Sequence, residues 1–91
     1  MYVVVSSNIV NDKRMNARTK GVLLVILSCD QEERNMQTIA DLCHLNVKTL
    51  RKEISRLEEL GYLRRKRERD NGVFSGWTWE VYNDVTEPHW E

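Results

Sequence analysis

The sequence predicts one α+β domain, made of a three-helix bundle, a C-terminal β-hairpin and a short N-terminal strand. Apolar residues recur at helical spacing up to Gly61, and two strand-like segments then flank a turn signal at Asn71 and Gly72. The 91 residues suffice for one hydrophobic core and are too few for two. We therefore assign residues 1–83 to the domain and residues 84–91 to an acidic C-terminal tail.

The first part of the chain is expected to form a strand and then a helix. Residues 2–5 are one tyrosine and three valines, which favours a strand that pairs with a later segment. Asn16 is a suitable N-cap for a helix over residues 17–28. The uniformly apolar run 22–27 is also compatible with a strand, but the length of the segment and its polar start favour the helix.

A second, shorter helix is predicted over residues 37–43, with Ile39, Ala40 and Cys43 on one side. The polar turn that follows begins with His44. Histidine tolerates left-handed backbone geometry better than most residues, so we expect the turn to form.

The third predicted helix has the clearest pattern in the chain. Asn46 can cap it at its start, and Gly61 lies where a left-handed C-cap belongs. Its core stripe recurs at spacings of three and four residues: Val47, Leu50, Ile54, Leu57 and Leu60.

The pairing of the hairpin strands can be argued from the alternation of side chains. A two-residue loop at the turn would pair Leu63 with Glu80, whereas a three-residue loop would pair Leu63 with Trp79. We favour the three-residue loop, because it brings two apolar side chains onto the face that covers the core.

Two tryptophans on the second strand can either pack over the helices or stack on bases. Alternating aromatic residues after a helical bundle favour packing for both Trp79 and Trp77. The favoured pairing also sets Arg65 opposite Trp77, which allows a cation-π contact at the edge of the core.

The net charge is zero, but the charges are segregated along the chain. Between His44 and Arg69 there are nine Lys or Arg residues and four acids, and after Arg69 there are five acids and no cation. Charges more than about 10 Å apart are largely screened at ordinary salt, so a phosphate responds to the local cluster. The basic segment therefore points to nucleic acid in spite of the neutral sum.

The two cysteines, Cys29 and Cys43, form no CxxC pair, and we expect free thiols that are buried or partly buried. His44 and His89 lie in a turn and in the tail without ligands at suitable spacing, so no metal is expected. No serine stands in a nucleophile motif and no glycine-rich phosphate loop is present, so we expect neither an enzyme nor a cofactor or small-molecule ligand.

No apolar stretch approaches the roughly 20 residues that a membrane helix needs. The N-terminus also lacks a basic leader followed by an apolar segment. The expected location is the cytoplasm, without membrane contact.

Three helices followed by a two-stranded ribbon, with a tight turn between the second and third helices, are the winged helix-turn-helix arrangement. Such a third helix fits the major groove of double-stranded DNA. We expect Lys48, Thr49 and Lys52 to lie nearest the bases. The backbone contacts are expected from three further residues of the same helix, Arg51, Ser55 and Arg56.

The first strand of the hairpin adds a second group of candidate DNA contacts. The turn carries these cations to the end of a projecting ribbon, where they can follow phosphates or enter a minor groove. They are Arg64, Lys66, Arg67 and Arg69.

Two sets of motifs resemble known proteins. The first set is similar to the segment that many bacterial winged-helix regulators share. It comprises Ile39 to Leu42, Lys48 to Arg51 and the stretch L-E-E-L-G-Y-L over residues 57–63. A narrower set resembles the helix-turn-helix domain at the N-terminus of phage and plasmid replication proteins of the replisome-organiser type, and of related short regulators. It comprises N-D-K-R-M at 11–15, K-G-V-L at 20–23, R-E-R-D at 67–70 and G-V-F-S-G-W at 72–77.

The resemblance covers roughly residues 6–83 and implies DNA binding. Members of the replication family usually have glycine at the position of His44. Longer members carry a further domain for recruiting replication partners, for which this chain has no room.

Several alternatives remain open at this stage. The same fold can present its third helix or its wing to an acidic protein instead of DNA. Regulation of transcription and initiation of replication are both compatible with the motifs. A homodimer that reads two half-sites is possible, through residues 2–5, the first helix or the tail around Trp90.

Overall fold

The computed structural model describes residues 2–83, and the predicted acidic tail at 84–91 lies outside the described residues. Residues 2–83 form four α-helices, one 3-10 helix and one antiparallel hairpin. In chain order the elements are α1 (Ser7–Val10), α2 (Ala17–Ser28), the 3-10 helix (Gln31–Glu33), α3 (Met36–Cys43), α4 (Val47–Leu60), β1 (Leu63–Asp70) and β2 (Val73–Val81).

The predicted three-helix bundle followed by a hairpin is confirmed. The three predicted helices are α2, α3 and α4, and α3 begins one residue earlier than expected.

Each of these helices begins with the same pattern, an asparagine followed three residues later by a threonine. The Oδ1 atoms of Asn16, Asn35 and Asn46 accept a hydrogen bond from the backbone N–H of that threonine at 2.9, 2.9 and 2.7 Å. An extended N-cap with a side-chain acceptor satisfies one of the donors that the first turn of a helix leaves unpaired. The caps at Asn16 and Asn46 explain why the starts of α2 and α4 could be predicted, whereas the cap at Asn35 was not anticipated.

Two left-handed residues end α3 and α4. His44 has φ 55° and Gly61 has φ 89°. In both cases the next residue donates back to the helix, from Leu45 N to the carbonyl of Ala40 and from Tyr62 N to the carbonyl of Leu57, each at 3.0 Å. The expectation that histidine would accept this geometry is confirmed.

The core lies where α2, α3 and α4 meet the base of the hairpin. Burying one such aliphatic side chain stabilises the fold by about 1.5–3 kcal/mol. The buried hydrophobic residues of the described chain are Ile9, Met15, Val22, Leu23, Ile26, Cys29, Ile39, Ala40, Leu50, Ile54, Leu57, Tyr62, Leu63 and Trp79.

The predicted N-terminal strand is wrong. Residues 2–5 form no strand, and Ser6 instead caps α1, which buries Ile9 in the core. The segment is held by a side chain, since Asn83 Oδ1 accepts from the N–H of Ser6 and Asn83 Nδ2 donates to the carbonyl of Val4, both at 2.7 Å. A local preference for strand does not suffice without a neighbouring sheet edge.

The predicted register of the hairpin is also wrong, by two residues. Asn71 and Gly72 form a two-residue turn with φ 53° and 81°, as in a type I′ hairpin. The ladder then shifts between Glu68 and Arg69, so that Leu63 pairs with Val81 instead of Trp79. The extra residue on β2 is a β-bulge, which brings apolar side chains back onto the core face.

The two tryptophans of β2 differ in their surroundings. Trp79 is 3% exposed and belongs to the core, as expected. Trp77 is 53% exposed, so the prediction that it packs in the core is wrong. The further edge of β2 contacts the segment after α2, because Trp79 N donates to Gln31 Oε1 at 3.0 Å and Arg34 donates to the Trp79 carbonyl at 3.4 Å.

Candidate nucleic-acid interface

One face of α4 is buried and the opposite face carries exposed cations. Leu50, Ile54 and Leu57 have no exposed surface. Of the six residues that were predicted to contact DNA from this helix, five are exposed and Thr49 is half-buried. The five exposed residues are Lys48, Arg51, Lys52, Ser55 and Arg56.

The charges on this face differ in how far they are compensated. Within residues 2–83, Lys48, Arg51 and Lys52 have no carboxylate at ion-pair distance. Arg56 is more constrained, because its Nη1 lies 3.6 Å from Glu59 Oε2 and its Nη2 donates to the carbonyl of Arg14 at 3.0 Å. The first two turns of α4 therefore supply the uncompensated positive charge.

The hairpin divides the predicted basic residues between its two faces. Side chains alternate along a strand, so Arg67 shares the face of Leu63, whereas Arg64 and Lys66 lie on the other. Lys66 Nζ is 3.4 Å from Glu80 Oε1; the Lys66 side chain is exposed and the Glu80 side chain is half-buried. The structure thus brings Arg67 to the side of α4 and leaves Arg64 and Lys66 on the opposite face.

Near the turn, Arg69 is exposed and its Nη1 lies 3.4 Å from the carbonyl of Gly72, to which it donates. This contact keeps the guanidinium close to the tip of the hairpin.

Arg65, which was not among the predicted DNA contacts, connects the hairpin to α4. Its Nη2 donates to Glu58 Oε1 at 2.9 Å, and its Nε donates to Glu58 Oε2 at 3.3 Å. Its guanidinium carbon also lies 5.9 Å from the ring centre of Trp77 and 5.7 Å from that of Trp79. The expected contact with Trp77 is therefore present, although the strands pair Arg65 with Trp79.

A cleft of about 330 Å³ separates α4 from the hairpin. Arg51 of α4 faces Arg65 and Trp77 across it, and the start of α3 closes one end. The Arg67 guanidinium lies 5.9 Å from the ring centre of Trp77, which extends the basic and aromatic surface along the hairpin. The cleft is lined by Arg34, Asn35, Met36, Arg51, Arg65, Trp77 and Trp79.

A second group of contacts fixes the loop before α2 beside the other flank of α4. Asp12 accepts from Arg14 Nη2 at 2.7 Å and Nε at 2.9 Å, and from the Tyr62 hydroxyl at 2.7 Å. Hydrogen bonding to the Arg14 guanidinium holds the pKa of Asp12 well below its usual range. Burial, together with the bond to Asp12, raises the pKa of Tyr62 to about 12.

No local sequence pattern indicates this cluster, because its members are up to 50 residues apart.

The remaining candidates for chemistry are the two thiols. Cys29 is buried and Cys43 half-buried, both are free, and burial raises the pKa of each. Within residues 2–83 no group of three or more His, Cys, Asp or Glu residues could hold a metal ion. No helix in the same range is long and apolar enough to cross a bilayer.

These elements define an α+β protein with a winged-helix-like fold, in which a two-stranded hairpin follows the helix-turn-helix segment. The model of a family of helix-turn-helix domains matches residues 13–63, from the loop before α2 to the first residue of β1. This match spans more than half of the chain, and the protein belongs to that family. Searches of curated proteins and of solved structures found no match. Membership of a helix-turn-helix family suggests DNA as the partner.

Proposed function

We propose that this protein is not an enzyme and that it binds double-stranded DNA in a sequence-specific manner, as a transcriptional regulator or a replication-initiation factor of phage or plasmid type. The observation that carries the proposal is the two-sided character of α4. Leu50, Ile54 and Leu57 of its apolar stripe are fully buried, while its exposed face carries three cations without an acidic partner within residues 2–83: Lys48, Arg51 and Lys52. A phosphate backbone is the partner that such a surface fits best.

The positions around α4 support different roles for its residues. Lys48, Lys52 and Ser55 follow one another at helical spacing along the middle of the exposed face. Lys48 and Lys52 in the first turns would lie nearest the base edges, with the half-buried Thr49 beside them. Arg51 borders the cleft toward the hairpin, where a backbone phosphate can reach it.

Selection of bound duplexes from a random pool would test the proposal most directly. An enriched motif is expected, and a palindromic motif would indicate that two copies of the chain bind two half-sites. A pool that is retained without enrichment would contradict sequence specificity.

The salt dependence of duplex binding tests whether the cations meet phosphates. With about five phosphate contacts, log K should fall with log salt at a slope of roughly −4 to −5. Absent or salt-insensitive binding to duplex DNA would reject the proposal and favour the alternative, a winged helix that contacts an acidic protein.

Two substitutions separate base contacts from backbone contacts. Lys52→Ala should relax the sequence preference, whereas Arg67→Ala should weaken binding to all duplexes alike. Arg18→Ala is the control, because Arg18 is an exposed cation of α2 that does not line the cleft between α4 and the hairpin. It borders a separate groove with Cys43 and Leu45. Identical effects of Lys52→Ala and Arg67→Ala would contradict the assignment of these two roles.

A further inference from the structure

A polar cleft of about 470 Å³ lies between α4 and the loop that precedes α2, on the side of α4 opposite the hairpin. Lys52 and Arg56 border it from α4, and Lys13 borders it from the loop. None of the DNA contacts predicted from the sequence lies in this loop. The complete lining is Lys13, Arg14, Met15, Asn16, Thr19, Lys52, Glu53 and Arg56.

The charges of this cleft are mostly positive and partly uncompensated. Arg14 is neutralised by Asp12, and Glu53 is half-buried with its Oε1 at 2.9 Å from the Thr19 hydroxyl. Lys13 is exposed and, like Lys52, has no carboxylate at ion-pair distance within residues 2–83. The cleft therefore presents two free ammonium groups to a ligand.

The loop before α2 is held in place by hydrogen bonds, so Lys13 can bind a ligand without the loop first having to become ordered. Asp12 and Arg14, its two neighbours in sequence, take part in the hydrogen bonds with Tyr62 and with each other. Arg56 Nη2 donates to the Arg14 carbonyl at 3.0 Å, which ties the loop directly to α4.

The dimensions of B-DNA indicate which part of the duplex such a cleft would contact. An α-helix is about 10–12 Å across with its side chains, and the major groove is about 12 Å wide. A helix in that groove therefore has one phosphate strand along each flank. Arg51 lies on the flank that faces the hairpin, and Lys52 and Arg56 lie on the flank that faces the loop.

We infer that this cleft is a second phosphate-binding site, in which Lys13 and Arg56 hold the DNA strand on the side of α4 away from the wing, next to Lys52 at the base edges. The inference rests on the proposed function. It assigns the loop before α2 to the DNA interface and makes Lys13 a backbone contact that carries no base preference.

The test compares the salt dependence of duplex binding for the full chain and for the variant Lys13→Ala. Loss of one phosphate contact should reduce the magnitude of the slope by about 0.9 and weaken binding about eight-fold at 0.1 M salt. The weakening should be the same for a selected duplex and for a random one. Charge reversal in Lys13→Glu should reduce the slope and the affinity further.

Arg18→Ala is again the matched control, since it removes one exposed cation outside both clefts. Its slope and affinity should equal those of the unaltered chain. Because Lys13 is exposed, the melting temperature of its variants should stay within about 4 °C of that of the unaltered chain, so that a change in binding is not a change in folding.

The possible results distinguish the two proposals. If the unaltered chain binds duplex DNA with a steep salt dependence and Lys13→Ala matches Arg18→Ala, the second site is wrong and the proposed function stands. If the unaltered chain does not bind duplex DNA, the proposed function fails and the second site fails with it.

Discussion

Removing the Tyr62 hydroxyl should lower the free energy of unfolding by about 1.5–3 kcal/mol, the usual range for a hydrogen bond to a charged group. Tyr62 is 1% exposed, and its hydroxyl donates to Asp12 Oδ2 at 2.7 Å. The Asp12 side chain is itself 7% exposed, so water cannot readily replace the lost donor. Because Asp12 keeps its three hydrogen bonds from Arg14, one from the backbone N–H and two from the guanidinium, the loss should not exceed this range.

The chain offers a matched control in Tyr82→Phe. The Tyr82 hydroxyl also donates to a carboxylate, Glu80 Oε2 at 2.6 Å, but the site is half-buried and Glu80 is 34% exposed. Water can take the place of this donor, so the expected loss is no more than about 1 kcal/mol. Urea titrations followed by circular dichroism would measure both variants, and an unchanged m-value would show that only the stability differs.

Equal losses in the two phenylalanine variants, or a loss below about 0.5 kcal/mol for Tyr62→Phe, would contradict a stabilising bond between the Tyr62 hydroxyl and Asp12. Either result would mean that the buried pair does not fix the loop before α2. A double-mutant cycle with Asp12→Asn would isolate the interaction energy between the two side chains. The double variant should lose less free energy of unfolding than the two single variants added together, and the difference is that interaction energy.

Three further predictions concern stability. Hydrogen bonding to a guanidinium lowers the pKa of Asp12 from its ordinary 3.8, so the stabilisation of the fold by ionised Asp12 is complete above that value and is lost as the pH falls below it. Urea midpoints should therefore fall more steeply in acid for the unaltered chain than for Asp12→Asn. At the two left-handed caps the effects should be opposite, with His44→Gly raising and Gly61→Ala lowering the unfolding free energy by about 1 kcal/mol in urea titrations. In thermal unfolding, Trp79→Ala should lower the free energy of unfolding by about 3–5 kcal/mol, and Trp77→Ala by no more than about 1 kcal/mol. Similar losses in the two variants would contradict the difference in burial between the two tryptophans.

The helices could be predicted because their signals are local. Asn16 and Asn46 cap α2 and α4 with their own side chains, and Gly61 ends α4 with a backbone geometry that glycine favours. The buried stripe of α4 follows from the spacing of its leucines and isoleucine, and the exposed stripe is what remains. Most of the candidate site on α4 was therefore accessible from the sequence.

The hairpin shows where local signals fail. The side-chain alternation correctly required that Leu63 face an apolar partner, but it assumed an uninterrupted ladder. The structure keeps the two-residue turn and meets the same requirement with a bulge just before Gly76, whose φ is 143°. A single extra residue on one strand is invisible to an argument that counts pairs from the turn.

The prediction of an N-terminal strand was wrong, and the position of the loop before α2 was missed, for a different reason. Both segments depend on contacts with residues that are distant in sequence. Tyr2 and the valines have the right propensity, but the edge of β2 at Trp79 already contacts Gln31 and Arg34. Lys13 belongs to no recognisable sequence motif, and the hydrogen bonds from Tyr62 and Arg56 to its neighbours hold the loop beside α4.

The neutral net charge of the chain also has a structural explanation. Within residues 2–83 four acids lie at ion-pair distance from a cation: Asp12 from Arg14, Glu59 from Arg56, Glu58 from Arg65 and Glu80 from Lys66. The cations outside such pairs include Lys13, Lys48, Arg51 and Lys52. These four lie on α4 or in the clefts along its flanks. Since phosphates respond to the nearest uncompensated charges, a chain of zero net charge can present a positive surface along α4.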